Sequence, residues 1–176
     1  AVFIDGRSGV PHAVSYGPGA QPSPLVRGPS ADLGRYAAGL IDAPRQRWLG
    51  VRETTRCDQL VALPLAGGQP QVLRQEADLC GYAVLSPAGD QLAWLEWSLP
   101  SMPWERTELW CSPIDASGGL SDPKGLRVAM AVMNRCFSPC GAPMDSCWWR
   151  RIAVAGGRPS AGARISSRLG NRCRCR

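Results

Sequence analysis

Few side chains in this sequence of 176 residues could perform hydrolysis. Nucleophilic catalysis by serine needs a histidine as general base, and the chain contains one histidine, His12. The sequence contains no Gly-x-Ser-x-Gly segment, the turn that presents a nucleophilic serine in α/β-hydrolases. His12 lies in an apolar run of strand character. We therefore predict a structural role for His12 and no catalytic residue in this chain.

The cysteines are the second group that could perform chemistry. Zinc sites are usually built from Cys-x₂-Cys pairs, often with histidine. The five cysteines of the last quarter lack that spacing and have no histidine beside them: Cys136, Cys140, Cys147, Cys173 and Cys175. We predict no metal or cofactor site. Cys57, Cys80 and Cys111 are expected to be buried small apolar residues, because nothing in the sequence indicates a secretory context that would favour disulfides.

The positive charge is concentrated at the end of the chain. The formal net charge is +6, yet residues 129–176 hold nine arginines and one acidic residue, Asp145. Arginines beside Trp148 and Trp149 could contact nucleic acid nonspecifically, through phosphates and base stacking. We expect instead a disordered basic tail with no specific nucleic-acid partner. The change of composition near Val128 marks a domain boundary.

The stretch from Leu85 to Trp97 shows which elements build the rest of the chain. Residues 86–90 (Ser-Pro-Ala-Gly-Asp) have the composition of a tight turn, since proline fixes φ and glycine accepts a positive φ. The residues from Leu92 onward then alternate with the period of a pleated strand. Comparable runs and turns recur through residues 1–128. No window of about a dozen residues has the apolar spacing of a helix without a proline or glycine in it. This pattern predicts an all-β chain.

These elements repeat at a nearly constant interval. His12 and Leu60 are 48 residues apart, Leu60 and Leu109 are 49 apart, and Tyr36 and Tyr82 are 46 apart. A period of this size with about four short strands per unit is typical of propeller blades, whereas a β-sandwich is the competing arrangement. We predict an incomplete β-propeller of about two to three blades, each of four short antiparallel strands, in residues 1–128, with a disordered C-terminal tail.

Two segments of the third unit resemble a known family. Leu85–Trp94 resembles the Ser-Pro-Asp-Gly-x-x-Leu-Ala-aromatic blade turn of peptidase propellers, with Ala88 in place of the aspartate. Trp97–Leu109 resembles a Trp-x-His-Pro-x-Met-Pro-Trp-Asp-x-Thr-Glu-Leu segment, with Leu99 for the histidine and Glu105 for the aspartate. That segment is found in bacterial members of the prolyl oligopeptidase family, of the dipeptidyl aminopeptidase and acylaminoacyl-peptidase type.

The resemblance covers roughly residues 30–128 and carries expectations about function. Proteins of this family have an N-terminal propeller that covers a C-terminal α/β-hydrolase domain with a Ser-Asp-His triad. The resemblance implies a non-catalytic propeller fragment of a serine peptidase, whose partners are that hydrolase domain and a peptide substrate. The alternative is a stand-alone propeller-like module that binds protein or peptide, with a basic tail that contacts nucleic acid nonspecifically.

Four tryptophans near the third unit could line a ligand surface: Trp94, Trp97, Trp104 and Trp110. We expect them to pack within and between blades instead, because each buried aromatic removes about 150–250 Å² from water. In the intact family the loop Met102-Pro103-Trp104 could face the catalytic domain, but sequence alone does not place it.

The tail itself is consistent with a shifted reading frame. Back-translation from Met130, with wobble bases chosen freely and reading from the third base of that codon, yields Pro-Leu-Trp-Gly-Pro-Asn-Gly-Gln-Leu-Leu-Val-Ala-Ser, a further copy of the blade turn. We predict that residues 129–176 are a non-native, frameshifted tail. The chain shows neither a signal peptide nor a membrane-spanning run, so we also predict a cytoplasmic protein, without membrane partners, whose true start precedes Ala1.

Overall fold

The computed structural model describes residues 1–27 and 34–128. These residues form eleven strands and no helix, and therefore include no apolar helix long enough to cross a membrane. The strands are β1 (Val2–Ile4), β2 (Pro11–Ala13), β3 (Ser23–Pro24), β4 (Arg35–Asp42), β5 (Arg47–Glu53), β6 (Asp58–Pro64), β7 (Gln71–Arg74), β8 (Leu79–Leu85), β9 (Gln91–Trp97), β10 (Thr107–Pro113) and β11 (Lys124–Val128). The all-β prediction is confirmed. The predicted disordered tail lies outside the described residues.

The strands form three antiparallel sheets, which we call the first, second and third blades. The first blade has the order β1-β2-β3, the second β4-β5-β6-β7, and the third β8-β9-β10-β11. Each strand pairs with its neighbour in sequence, as expected for short connections between antiparallel strands. Within the described residues the blades do not close into a ring. The prediction of an incomplete propeller with two to three blades is therefore confirmed.

The repeat found in the sequence is the repeat of the blades. Tyr36 and Tyr82 lie on the first strands of the second and third blades, and Leu60 and Leu109 lie on their third strands. His12 lies on β2, between β1 and β3. Two strands gave no signal in the sequence: β3 has only two residues, and β11 lacks clear alternation of apolar and polar residues.

The second blade is buried on both of its faces. Along β6, Leu60 and Ala62 belong to a core shared with the third blade, while Val61 and Leu63 belong to a core shared with the first. Successive side chains of a strand point to opposite faces, so one strand supplies both cores. Because both faces of β6 are buried, its sequence is almost continuously apolar.

The predicted turn before β9 forms as expected. The Ser86 hydroxyl accepts hydrogen bonds from the backbone N–H groups of Asp90 and Gln91, each at 3.1 Å. Gly89 has φ +70°, a left-handed conformation that glycine adopts without a Cβ clash. The turn thus directs the chain from β8 back along β9.

Connections between strands emerge at two opposite ends of the blades. One end, which we call the turn end, carries the turns after the first and third strands of the second and third blades, residues 43–46, 65–70, 86–90 and 114–123. The other end, which we call the loop end, carries residues 54–57, 75–78 and 98–106. The antiparallel order of the strands produces this segregation.

Candidate functional site

The loop end is dominated by the connection between β9 and β10. The Leu99 N–H donates to Asp78 Oδ2 at 3.0 Å, which ties this loop to the connection before β8. Within the loop, the Met102 N–H donates to Glu105 Oε2 at 2.8 Å, and the Met102 carbonyl accepts from the Glu105 and Arg106 N–H groups at 2.9 and 3.1 Å. These bonds hold the loop in a compact turn.

Three apolar side chains of this loop face solvent. Leu99 is 62% exposed, Trp104 55% and Met102 39%. Exposed large apolar side chains are a common feature of contact sites for other polypeptides. The geometry supplies apolar contact area at the loop end, where the carboxylates of Asp78 and Glu105 accept hydrogen bonds from backbone N–H groups of the loop.

The four tryptophans divide between packing and exposure. Trp94 is fully buried, stacks on Trp110 with ring centroids 6.3 Å apart, and donates from Nε1 to Glu96 Oε1 at 2.8 Å. Trp97 lies beside Tyr82 and is partly buried. The expectation of packing is confirmed for Trp94 but is wrong for Trp104, because that residue lies beyond the strands at the tip of the loop.

His12 occupies a position that fits a structural role. Its ring stacks on Phe3 of the adjacent strand, with centroids 5.8 Å apart, and its Nδ1 lies 3.0 Å from the Val10 carbonyl oxygen. The pairing of Phe3 with His12 in the β1–β2 register places the two rings side by side. That this chain carries no catalytic residue stays a prediction.

The three cysteines of the blades are free thiols. Cys80 is buried, as expected, and burial raises its pKa to about 12. Cys111 and Cys57 are only partly buried, so the expectation of full burial is wrong for them; burial also raises the pKa of Cys111. A thiol that stays protonated at neutral pH is a poor nucleophile and metal ligand. Among residues 1–27 and 34–128, no cluster of three potential metal ligands occurs, and the cysteines of the tail lie beyond this part.

A network of buried charges joins the second and third blades at the turn end. Arg47 Nε lies 2.8 Å from Asp42 Oδ2, and Arg47 Nη1 donates to the Gly118 carbonyl at 2.6 Å. Arg45 Nη1 lies 3.3 Å from Asp42 Oδ1 and donates to the Gly89 carbonyl at 2.7 Å. Asp42 is fully buried between the two guanidinium groups. The turn at the start of β5 therefore binds two turns of the next blade.

A second ion pair joins the outer strand of the second blade to the third blade. Arg74 Nε lies 2.8 Å from Glu96 Oε1, and the guanidinium carbon lies 4.2 Å from the centre of the Trp110 ring. The same Glu96 oxygen accepts from Trp94. Sequence reasoning missed both networks. The sequence feature that could have indicated these networks is the presence of charged residues in largely apolar strands.

A cavity of about 310 Å³ opens beside the Asp42 network. Its walls include Arg45 and Arg47 from the turn before β5 and the first residue of that strand, Gln69 and Gln71 from the turn before β7 and the first residue of that strand, and Ser117 and Gly118 from the turn after β10. Charged and amide side chains contribute to its lining together with the apolar side chains of Ala62 and Pro64.

No protein-family model matches this chain, and no curated protein matches it by sequence. Solved structures do match. A puromycin-hydrolysing peptidase from Mycobacterium tuberculosis is 28% identical, with a TM-score of 0.63, over 71% of this chain and 20% of that chain. The crystal structure of a puromycin hydrolase mutant complexed with PGG is 27% identical to this chain, with a TM-score of 0.61. A second crystal structure of a puromycin hydrolase is 26% identical, with a TM-score of 0.59. Each of these covers 70% of this chain and 21% of the other.

The fold and these neighbours define the class of protein that the chain resembles, namely the propeller part of a peptidase. The neighbours are peptidases of the prolyl oligopeptidase family, so the resemblance predicted from the sequence is confirmed. The chain spans about a fifth of the length of the structures that it matches. The similarity therefore concerns one part of those proteins.

Proposed function

We propose that this chain is a non-catalytic propeller segment of a prolyl oligopeptidase-like serine peptidase. The observation that carries the proposal is the match of 71% of this chain to a peptidase of which it covers 20%. In the intact protein, a Ser-Asp-His triad on an α/β-hydrolase domain would hydrolyse peptides. The propeller would restrict which peptides reach that triad.

Labelling with a fluorophosphonate probe tests the non-catalytic assignment, because such probes modify activated serines. We expect no labelling of the full chain and no hydrolysis of puromycin or of peptide p-nitroanilides above the rate in buffer. The puromycin-hydrolysing peptidase that the chain resembles provides the positive control. Stoichiometric labelling of one serine in this chain would refute the assignment.

The coding DNA tests whether the chain is a fragment with a frameshifted end. We expect that a one-base correction near codon 129 opens a frame that encodes a further blade and then a hydrolase domain with a Gly-x-Ser-x-Gly turn. The observed change of charge and cysteine content after Val128 motivates this expectation. If the DNA beyond that codon encodes no such frame, the proposal of a frameshift is wrong.

The exposed side chains of the loop end favour a second candidate, a stand-alone module that binds protein or peptide. Leu99, Met102 and Trp104 provide apolar area for such contact. Light scattering and thermal unfolding of the full chain distinguish the candidates. A monodisperse monomer that melts cooperatively favours the module, whereas aggregation favours the segment, because an incomplete propeller leaves sheet edges unpaired.

A further inference from the structure

The loop between β9 and β10 exposes apolar area that a docking segment could bury. Leu99, Met102 and Trp104 are 62%, 39% and 55% exposed. The carboxylates of Asp78 and Glu105 accept hydrogen bonds from backbone N–H groups of this loop and hold it in place. A segment that docks here would therefore bury apolar surface without having to order the loop, which lowers the entropic cost of binding.

The surroundings of this loop are acidic. Glu53 and Asp58 lie directly opposite each other at the ends of β5 and β6, and neither forms an ion pair with another described residue. Like charges in this arrangement repel. Burial, and to a smaller extent the charge of Glu53, raises the pKa of Asp58. In residues 53–58, 75–78 and 98–106 there are five acidic side chains against two arginines: Glu53, Asp58, Glu76, Asp78 and Glu105 against Arg56 and Arg106. A positively charged segment therefore complements this surface.

The chain itself carries such a segment, and that segment begins beside the loop. Strand β11 ends at Val128, which pairs with Thr107, the residue that follows the loop. Residues 129–176 continue from that point and hold nine arginines and one acidic residue. Within them, residues 148–151 (Trp-Trp-Arg-Arg) combine two aromatic with two cationic side chains. About 20 residues lie between Val128 and this segment, enough to span up to about 65 Å, so the segment can reach the loop.

We propose that residues 148–151 dock on the loop of residues 98–106 in the same chain. The two tryptophans would bury apolar area against Trp104 and Leu99. The two guanidinium groups would form charge-assisted hydrogen bonds with carboxylates of the loop end. The contact depends on charge, apolar area and the tether at Val128, so it requires neither a native tail sequence nor the proposed peptidase role.

Limited proteolysis of the full chain with trypsin tests the docking, because trypsin cleaves after arginine and mass spectrometry locates each cut. The measured quantity is the rate of cleavage after Arg150 and Arg151 divided by the rate after Arg172 and Arg174, which lie outside the proposed contact. A tether gives an effective concentration of about 1 mM, so a dissociation constant of about 0.2 mM would slow cleavage of the docked pair about sixfold.

Salt releases an electrostatic contact and so provides the undocked reference. In 1 M NaCl the Debye length falls to about 3 Å, and we expect the cleavage ratio to rise about sixfold. General attraction of the tail to the blades would affect all four arginines and cancel in the ratio. An unchanged ratio between low and high salt would overturn the proposal.

Two variants assign the contact to the loop. Trp104→Ala removes apolar area from a side chain that lies beyond the strands, so the blades should remain folded and the ratio at low salt should rise about threefold. Tyr16→Ala, at a residue 93% exposed between β2 and β3, is the matched control and should leave the ratio unchanged. Equal ratios in the two variants would overturn the assignment to this loop.

The chain concentration distinguishes docking within one chain from docking on a second copy. Docking through the tether gives a cleavage ratio that stays constant over about a hundredfold range of chain concentration, because the effective concentration is fixed by the tether. A ratio that falls as the chain concentration rises would assign the segment to a second copy and overturn the proposal.

Discussion

The two interfaces of the second blade are held by different forces. Toward the first blade, apolar side chains such as Trp48 and Leu63 pack together, and backbone groups bond across the interface, for example Gly68 N–H to the Leu25 carbonyl at 2.8 Å. Toward the third blade, an apolar core is flanked by the buried ion pairs of Asp42 with Arg47 and of Glu96 with Arg74.

This difference predicts how the stability of each interface responds to substitutions. Apolar packing is non-directional, and its loss scales with the volume that is removed. A buried ion pair contributes little net stability over an apolar pair, yet removing one partner leaves a charge without compensation in a medium of low dielectric. We therefore expect the interface with the third blade to be the more sensitive to single polar substitutions, and the interface with the first blade to respond mainly to truncation.

The largest effect is expected from Asp42→Ala, which leaves Arg45 and Arg47 without their shared carboxylate. We expect the free energy of unfolding to fall by about 3–5 kcal/mol. Urea denaturation followed by tryptophan fluorescence measures it. Asp122→Ala is the matched control, because Asp122 pairs with Lys124 at an exposed site and should change stability by less than about 0.5 kcal/mol. Equal effects of the two variants would contradict the contrast between the interfaces.

Truncation of Leu63 tests the apolar interface. Leu63 is fully buried between the first and second blades, so Leu63→Ala is expected to cost about 3 kcal/mol through lost burial and a residual cavity. The same urea titration applies. Val72→Ala, at a position 43% exposed, should cost less than about 1 kcal/mol. A Leu63 variant as stable as the Val72 variant would show that the first blade does not pack as described.

Gly118→Ala probes how closely the third blade approaches Arg47. A Cβ at this position would lie 2.7 Å from Arg47 Nη1, and the residue has φ +85°, so we expect a cost of about 2 kcal/mol. Thermal unfolding by circular dichroism measures the shift. Gly6→Ala is the control, since a Cβ there meets no atom within 4 Å and its φ is not positive. It should leave the melting temperature nearly unchanged, and an equal shift in both would refute the close contact.

Raising the pH should lower the free energy of unfolding by less than these substitutions do, through the core that the second and third blades share. The pKa of Cys80 is raised to about 12 in the folded chain, against 9.0 for the free group, so the unfolded chain loses this proton first. Stability is therefore full below pH 9 and falls as pH rises toward 12, by about 1 kcal/mol between pH 9 and pH 10. Urea titrations at both pH values measure the decline. Cys80→Ala should reduce it, and an identical decline in that variant would exclude Cys80 as the cause.

The local features of the fold follow from nearby residues and could be predicted. The turn at Ser86–Asp90 depends on its own proline, glycine and hydroxyl group, and the strand after it is a largely apolar run of seven residues whose five central residues are buried. The repeat of Tyr36 at Tyr82 and of Leu60 at Leu109 indicated the blades, because each blade is a local meander of consecutive strands. The two-residue β3 is too short to show any period.

The candidate sites were far less predictable. Arg47 and Gly118 are 71 residues apart, and no local pattern indicates that a carbonyl of one blade accepts from a guanidinium of another. The exposure of Trp104 likewise depends on where the loop end lies, since its composition alone resembles that of buried aromatic segments. Both outcomes depend on the packing of blades against one another.

The sequence by itself determined most of the strands, their turns and the blade repeat, because these depend on short-range backbone preferences and on the pattern of apolar residues. Its motifs also carried the resemblance to prolyl oligopeptidase-family peptidases. Only the tertiary structure decided which faces of the second blade meet which neighbour, that Asp42 is buried between Arg45 and Arg47, and that one buried guanidinium nitrogen of Arg47 has no hydrogen-bond partner among the described residues. Such features arise when distant segments exclude water together, and the free energy of a charge depends on that exclusion.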